Sequence, residues 1–126
     1  AMKIYMIMEL ALGGSLSSFL KERYSCKTKV NDIEASTIIK NILLPISFLH
    51  RKNIIHRDIK PGNYLHYLAN ILIMKPNNLN TLKLTDFGLS VQLKGKNFRN
   101  LLFDKCGTLL YMAPECLNDT LYSKVY

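Results

Sequence analysis

The sequence predicts an α+β fold, mainly helical, with one short β-hairpin in its second half. Three observations carry this. Ala35, Ile38, Ile39, Ile42, Ile46 and Leu49 recur at the spacing of one helix face. Two apolar runs, 71–74 and 82–85, flank a connection in which Pro76-Asn77-Asn78 is rich in turn formers. A further short run, Ile4-Tyr5-Met6-Ile7-Met8, mixes β-branched and aromatic residues and is broken by Gly13-Gly14.

Taken in order, residues 4–8 are expected to form a buried strand, followed by a glycine turn. Ser15 is a good N-cap for a short helix over 16–24, because its hydroxyl can accept from an otherwise orphaned backbone N–H. A polar, lysine-containing loop covers 26–30, and a longer helix starts with Asp32 as its cap. Pro45 lies inside that helix and predicts a kink costing about 3 kcal/mol if the helix is otherwise regular. The hairpin then places Asp86 at a strand end, pointing into a cleft, and Gly88 is expected to take the positive φ of a sharp turn.

The chain has 126 residues, the size of one domain, and its 48% hydrophobic and 21% charged composition is that of a globular protein rather than a disordered one. No apolar run reaches the ~18–20 residues of a membrane span, and no signal-peptide pattern opens the chain. Seventeen Lys and Arg against nine Asp and Glu give +8, which favours anionic partners, although a solvated basic face is the simpler reading. No arginine cluster or basic-aromatic stripe points to nucleic acid. Cys26, Cys106 and Cys116 are odd in number and lack C-x-x-C spacing, which suits a reducing cytoplasm. Oligomeric state is left open.

Three ordered motifs carry chemistry: His56-Arg57-Asp58-Ile59-Lys60-Pro61, Asp86-Phe87-Gly88 and Ala113-Pro114-Glu115. Phosphoryl transfer from ATP asks for a carboxylate to orient and deprotonate a hydroxyl and a second carboxylate to hold Mg2+ against the phosphates. Asp58 and Asp86 are the candidates for those two tasks. One D-F-G tripeptide is weak evidence, but three motifs in this order form a strong signal, and together they resemble the signature set of the eukaryotic serine/threonine protein kinases.

That resemblance implies a partial kinase fold. Residues 1–14 would be the last strand of the small lobe and the hinge, and 15–126 the first part of the large lobe. It implies Met8 as gatekeeper, with the Glu9 carbonyl and the Ala11 N–H on the adenine edge and Leu72 beneath the ring. Asp58 would be the catalytic base and Lys60 a contact of the transferred phosphate, while Thr108 would close the peptide-binding loop against both. His56 would pack against Phe87 in a hydrophobic column. Arg57 would meet an activation-loop phosphate. The usual phosphorylation position, two residues before Cys106, is here Asp104, a carboxylate that could stand in for the phosphate toward Arg57.

The pattern breaks at one place. Counting five residues from Asp58 gives Asn63 as the metal-binding Asn, yet the strand that should follow starts only after Asn70. Removing the seven residues from Gly62 to Leu68 restores H-R-D-I-K-P-A-N-I-L-I, so these seven read as an insertion and Asn70 as the family's Asn. The insertion must either bulge away and leave Asn70 in place or spoil the site, because displacement by ~1 Å can cost ~10²-fold in rate. The small-lobe glycine loop, lysine and glutamate, and the later helices of the large lobe, have no counterpart in this sequence, which amounts to roughly half a kinase domain. Exposed apolar patches and weak or absent activity of the isolated piece are therefore expected. The reading is an ATP- and Mg2+-dependent kinase acting on protein Ser/Thr hydroxyls; the alternative is a pseudokinase serving as a binding or scaffolding module.

Overall fold

A computed structural model of the chain describes residues 3–60, 70–93 and 106–117. In order, these hold helices α1 (Leu16–Ser25) and α2 (Asp32–Arg51), strands β1 (Ile54–Ile55), β2 (Ile71–Ile73), β3 (Leu82–Leu84) and β4 (Val91–Gln92), and the single turn α3 (Pro114–Leu117). Short 3₁₀ turns at Leu79–Thr81 and Leu109–Tyr111 complete the elements. The α+β architecture expected from the sequence, mainly helical with a short hairpin, is what forms.

Strands β2 and β3 pair antiparallel with Ile71 opposite Leu84 and Ile73 opposite Leu82. Side chains alternate across a strand, so Ile71 and Ile73 point inward, each 1% exposed, while Leu72 between them is half-buried. They meet Leu16 of α1 and Ile38 of α2 in one cluster, bordered by Phe19, Leu20, Ile42 and Ile59. Burial of each such side chain contributes about 1.5–3 kcal/mol, which makes the hairpin the anchor on which both helices rest.

Helix α1 begins as expected, with the Ser15 hydroxyl accepting from the Ser18 N–H at 3.0 Å. Helix α2 differs by one residue. Its N-cap is Asn31, whose side chain accepts from the Glu34 N–H while the Glu34 carboxylate accepts from the Asn31 N–H, a reciprocal capping box. Asp32 is the first helical residue, where its negative charge faces the positive end of the helix dipole. The helix continues on both sides of Pro45, and only its Ile38 and Leu49 are buried. Ala35 and Ile39, expected in the core, are exposed and share a second apolar face with Leu43 and Leu44.

Residues 4–8 form no strand and lie exposed, Ile7 almost fully so. The reason is pairing. A strand exists through its ladder, and no described segment offers this run a partner edge. Backbone bonds to the hairpin begin at Leu12 and Gly13, whose N–H groups donate to the carbonyls of Met74 and Ile73. A Cβ on Gly13 would stand 2.7 Å from the Ile73 side chain, so glycine alone fits this close approach.

A second antiparallel pair, β1 with β4, was not evident in the sequence; it sets Ile54 opposite Gln92 and Ile55 opposite Val91. Together with the Leu93 N–H donating to the Asn53 carbonyl, it ties the chain before His56 to the chain after Phe87.

Candidate active site

Strand β1 delivers His56 into the interior, where it is 2% exposed. Its Nε2 lies 3.0 Å from the Thr85 carbonyl, which can only accept, and its Nδ1 lies 3.4 Å from the Asp58 N–H, which can only donate. Both contacts fit an imidazole carrying its proton on Nε2. The ring stands 4.9 Å from that of Phe87, tilted by 57°, so the two side chains are in contact.

Asp58 is the hub of a hydrogen-bonded cluster. Lys60 Nζ donates to its Oδ2 at 2.8 Å, Thr108 Oγ1 donates to its Oδ1 at 2.9 Å, and Asn70 Nδ2 donates to its Oδ2 at 2.8 Å. Lys60 also donates to Thr108 Oγ1 at 2.8 Å, and Asn70 Nδ2 to the Asp58 carbonyl at 2.7 Å. Burial pushes the Asp58 carboxyl up, but the bonds from Lys60, Thr108 and Asn70 and the charge of Lys60 outweigh it and hold it below the ordinary aspartate value. Asp58 is therefore a carboxylate at neutral pH.

Asn70 is 1% exposed and reaches Asp58 across the interval 61–69. The flanks of that interval meet: the Asn70 N–H donates to the Lys60 carbonyl at 3.4 Å, and the Thr85 N–H to the Asn70 carbonyl at 3.0 Å. Whatever separates Lys60 from Asn70 in sequence, they are neighbours in space. Asn63 and Asp104 lie outside the described residues.

Thr108 is set in place by the residue before it. Gly107 has φ of +107°, and a Cβ there would stand 2.5 Å from the Arg57 carbonyl oxygen. Only glycine can bring the chain this near. Sequence reading missed this positioning role, although a glycine directly preceding a hydroxyl residue was a readable signal. Arg57 and Asp86 also take positive φ, +69° and +59°, in the region that non-glycine residues visit where surroundings impose it. The turn after β3 is thus made at Asp86 rather than at Gly88: the Asp86 carboxylate accepts from the Gly88 N–H at 3.2 Å and reproduces a turn bond by itself. The Arg57 Nε donates to the Leu89 carbonyl at 2.6 Å, fastening the chain after Phe87 to this loop.

Met8 and Glu9 are exposed, Ala11 is half-buried, and the Glu9 carboxylate pairs with Lys83 on β3. Leu72 bridges to Ser15. The structure brings Asp58, Lys60, Asn70 and Thr108 into direct contact; Asp86 stands two residues beyond β3 and is exposed. Among the described residues no group of three or more His, Cys, Asp or Glu converges as a metal cage.

Residues 1–126 match a family model described as a protein kinase domain. Serine/threonine-protein kinase 33 of Mus musculus is 38% identical over 122 residues, 97% of this chain and 24% of that protein. Myosin light chain kinase A of Dictyostelium discoideum is 38% identical over 122 residues, covering 97% of this chain and 37% of that protein. Serine/threonine-protein kinase DCLK1 of Rattus norvegicus is 36% identical over 120 residues, 95% of this chain and 24% of that protein. The chain thus spans 24–37% of the length of these relatives.

Proposed function

Because this chain belongs to the protein kinase family, we propose that it carries the phosphotransfer centre of a serine/threonine protein kinase. The observation behind this reading is the Asp58–Lys60–Asn70–Thr108 cluster, which gathers an ionised carboxylate, a cation and two neutral hydrogen-bonding groups around one point. In it Asp58 accepts the hydrogen bond of a substrate Ser or Thr hydroxyl and takes its proton as the oxygen attacks. Lys60, half released from Asp58 when a phosphate arrives, offers its charge to the transferred group. Thr108 holds the peptide-side wall against Asp58.

Oxygen donors suit Mg2+, which is commonly held by one or two carboxylates together with substrate phosphates rather than by a protein cage. The residues present fit that pattern. Asn70 uses its Nδ2 for both bonds to Asp58, so its amide oxygen is the group that would serve the metal, along with the carboxylate of Asp86. When bound, the metal neutralises charge on the ATP phosphates. The Glu9 carbonyl and the Ala11 N–H would receive the adenine edge, with Met8 as gatekeeper and the half-buried Leu72 beneath the ring, and Arg57 and Phe87 would link the site to the activation segment. Asn70 is favoured over Asn63 because of its contact with Asp58, and a pairing of Asp104 with Arg57 remains part of the proposal. Three free thiols among the cysteines favour a reducing, cytoplasmic setting.

The test is Mg2+-dependent transfer of the ATP γ-phosphate to a Ser/Thr peptide by a full-length protein containing this chain and by its Asp58→Asn variant. We expect loss of about 10²–10⁴-fold in rate on removing a general base. Absence of transfer in both proteins would favour a pseudokinase that serves as a binding module.

A further inference from the structure

The connection between α1 and α2 forms a groove of about 810 Å³ that shares no residue with the Asp58 cluster. Its apolar wall is Leu20, Tyr24 and Val30, of which Leu20 and Val30 also rest on the core and Tyr24 is largely exposed. Its charged wall is Arg23, Lys27 and Lys29, and no carboxylate lines it. Arg23 is already engaged by Glu34. Among the described residues neither Lys27 nor Lys29 has an ion pair, so these two carry the groove's uncompensated charge.

The groove is held in shape by its backbone. The N–H groups of Cys26, Lys27 and Thr28 donate back to the carbonyls of Glu22, Tyr24 and Arg23, and Lys27 takes a left-handed φ of +54° that closes the turn. The capping box on Asn31 fixes the start of α2 just beyond. A trough lined by apolar side chains together with Lys27 and Lys29 is complementary to an extended peptide in which an aliphatic side chain sits next to carboxylates. Hydrophobic burial supplies affinity, and the lysines select charge and speed encounter.

We infer that this groove docks an acidic, leucine-type segment of a protein partner, separately from the residues that meet the phosphorylated hydroxyl. That the partner is a phosphorylation substrate rests on the kinase reading; the binding itself does not.

A fluorescein-labelled peptide of alternating Glu and Leu, titrated into the full chain and followed by anisotropy, tests this. Saturable binding is expected, with at least tenfold weaker binding of a Lys/Leu peptide and at least tenfold loss in the Lys27→Glu/Lys29→Glu variant. The single Lys29→Glu variant should fall between, which keeps the test valid if the double variant misfolds by circular dichroism. Phosphotransfer to a short peptide without acidic residues should be unchanged in the double variant, so failure of docking and failure of the kinase reading are read separately. Equal affinity for the Lys/Leu peptide, or no effect of charge reversal, overturns the inference. So does binding to phosphatidylserine vesicles in the absence of any peptide binding, which would make this a membrane-facing surface.

Discussion

The loop around Asp58 and the segment 3–11 are both short and irregular, yet one is tightly determined and the other is not. Asp58, Lys60, Asn70 and Thr108 come from three separate stretches of chain and satisfy one another with five hydrogen bonds of 2.7–2.9 Å. Segment 3–11 is more apolar, but its side chains are mostly exposed, and among the described residues the first backbone bonds from this end to another element are those of Leu12 and Gly13. Hydrophobicity does not fix a backbone that has no ladder or core to join. A few polar groups do so when each has a partner and leaving one unpaired would cost about 1–3 kcal/mol.

The comparison can be broken most severely at Gly107. Gly107→Ala forces a Cβ against the Arg57 carbonyl at a φ that L residues avoid, so Thr108 must move. A shift of ~1 Å is expected to reduce phosphotransfer by about 10²-fold. Stability should fall by about 1–3 kcal/mol, measured by urea denaturation. Unchanged activity would mean that Thr108 does not need its place against Asp58.

A smaller effect follows from the lowered pKa of Asp58. The folded state holds this proton less tightly than the unfolded state, so the stabilisation is complete above about pH 5 and fades as pH falls through the ordinary aspartate value near ~3.9 toward the lowered one. Denaturation midpoints measured from pH 6 to pH 3 should therefore drop less steeply in Asp58→Asn than in the parent. Equal slopes would show that the cluster does not favour the carboxylate.

The smallest effect belongs to the loosely held region. The Glu9–Lys83 pair is about half exposed on both sides. Lys83→Ala should change stability by no more than about 1 kcal/mol, and the affinity for ATP only slightly, by calorimetric titration. A large loss of ATP affinity would show that this pair positions the backbone of Glu9 and Ala11, and that the segment is better determined than its exposure indicates.

Much of this was legible in the sequence because its signals are local. The Ser15 cap, the β2–β3 hairpin and the face of α2 bearing Ile38 and Leu49 follow from turn chemistry and periodicity. The place of Asn70 was legible as well, because the apolar residues behind it form β2 and its amide reaches Asp58. What escaped depends on contacts distant in sequence. The partner of β1 is 36–38 residues away in register with β4. The need for glycine at 107 arises from the carbonyl of Arg57, and the turn at Asp86 from a carboxylate folding onto its own loop. Ala35 and Ile39 have core-like periodicity but face solvent, since spacing marks a face and not what covers it. The strand expected at 4–8 failed for the same reason.

The central claim is that Asn70, and not Asn63, completes the site with Asp58 across the interval 61–69. Phosphotransfer rates of Asn70→Ala and Asn63→Ala, measured side by side over a Mg2+ titration, test it directly. The account predicts a loss of about 10²-fold with a raised Mg2+ requirement for Asn70→Ala, from lost positioning of the reacting groups, and near-parental behaviour for Asn63→Ala. A loss confined to Asn63→Ala would contradict it.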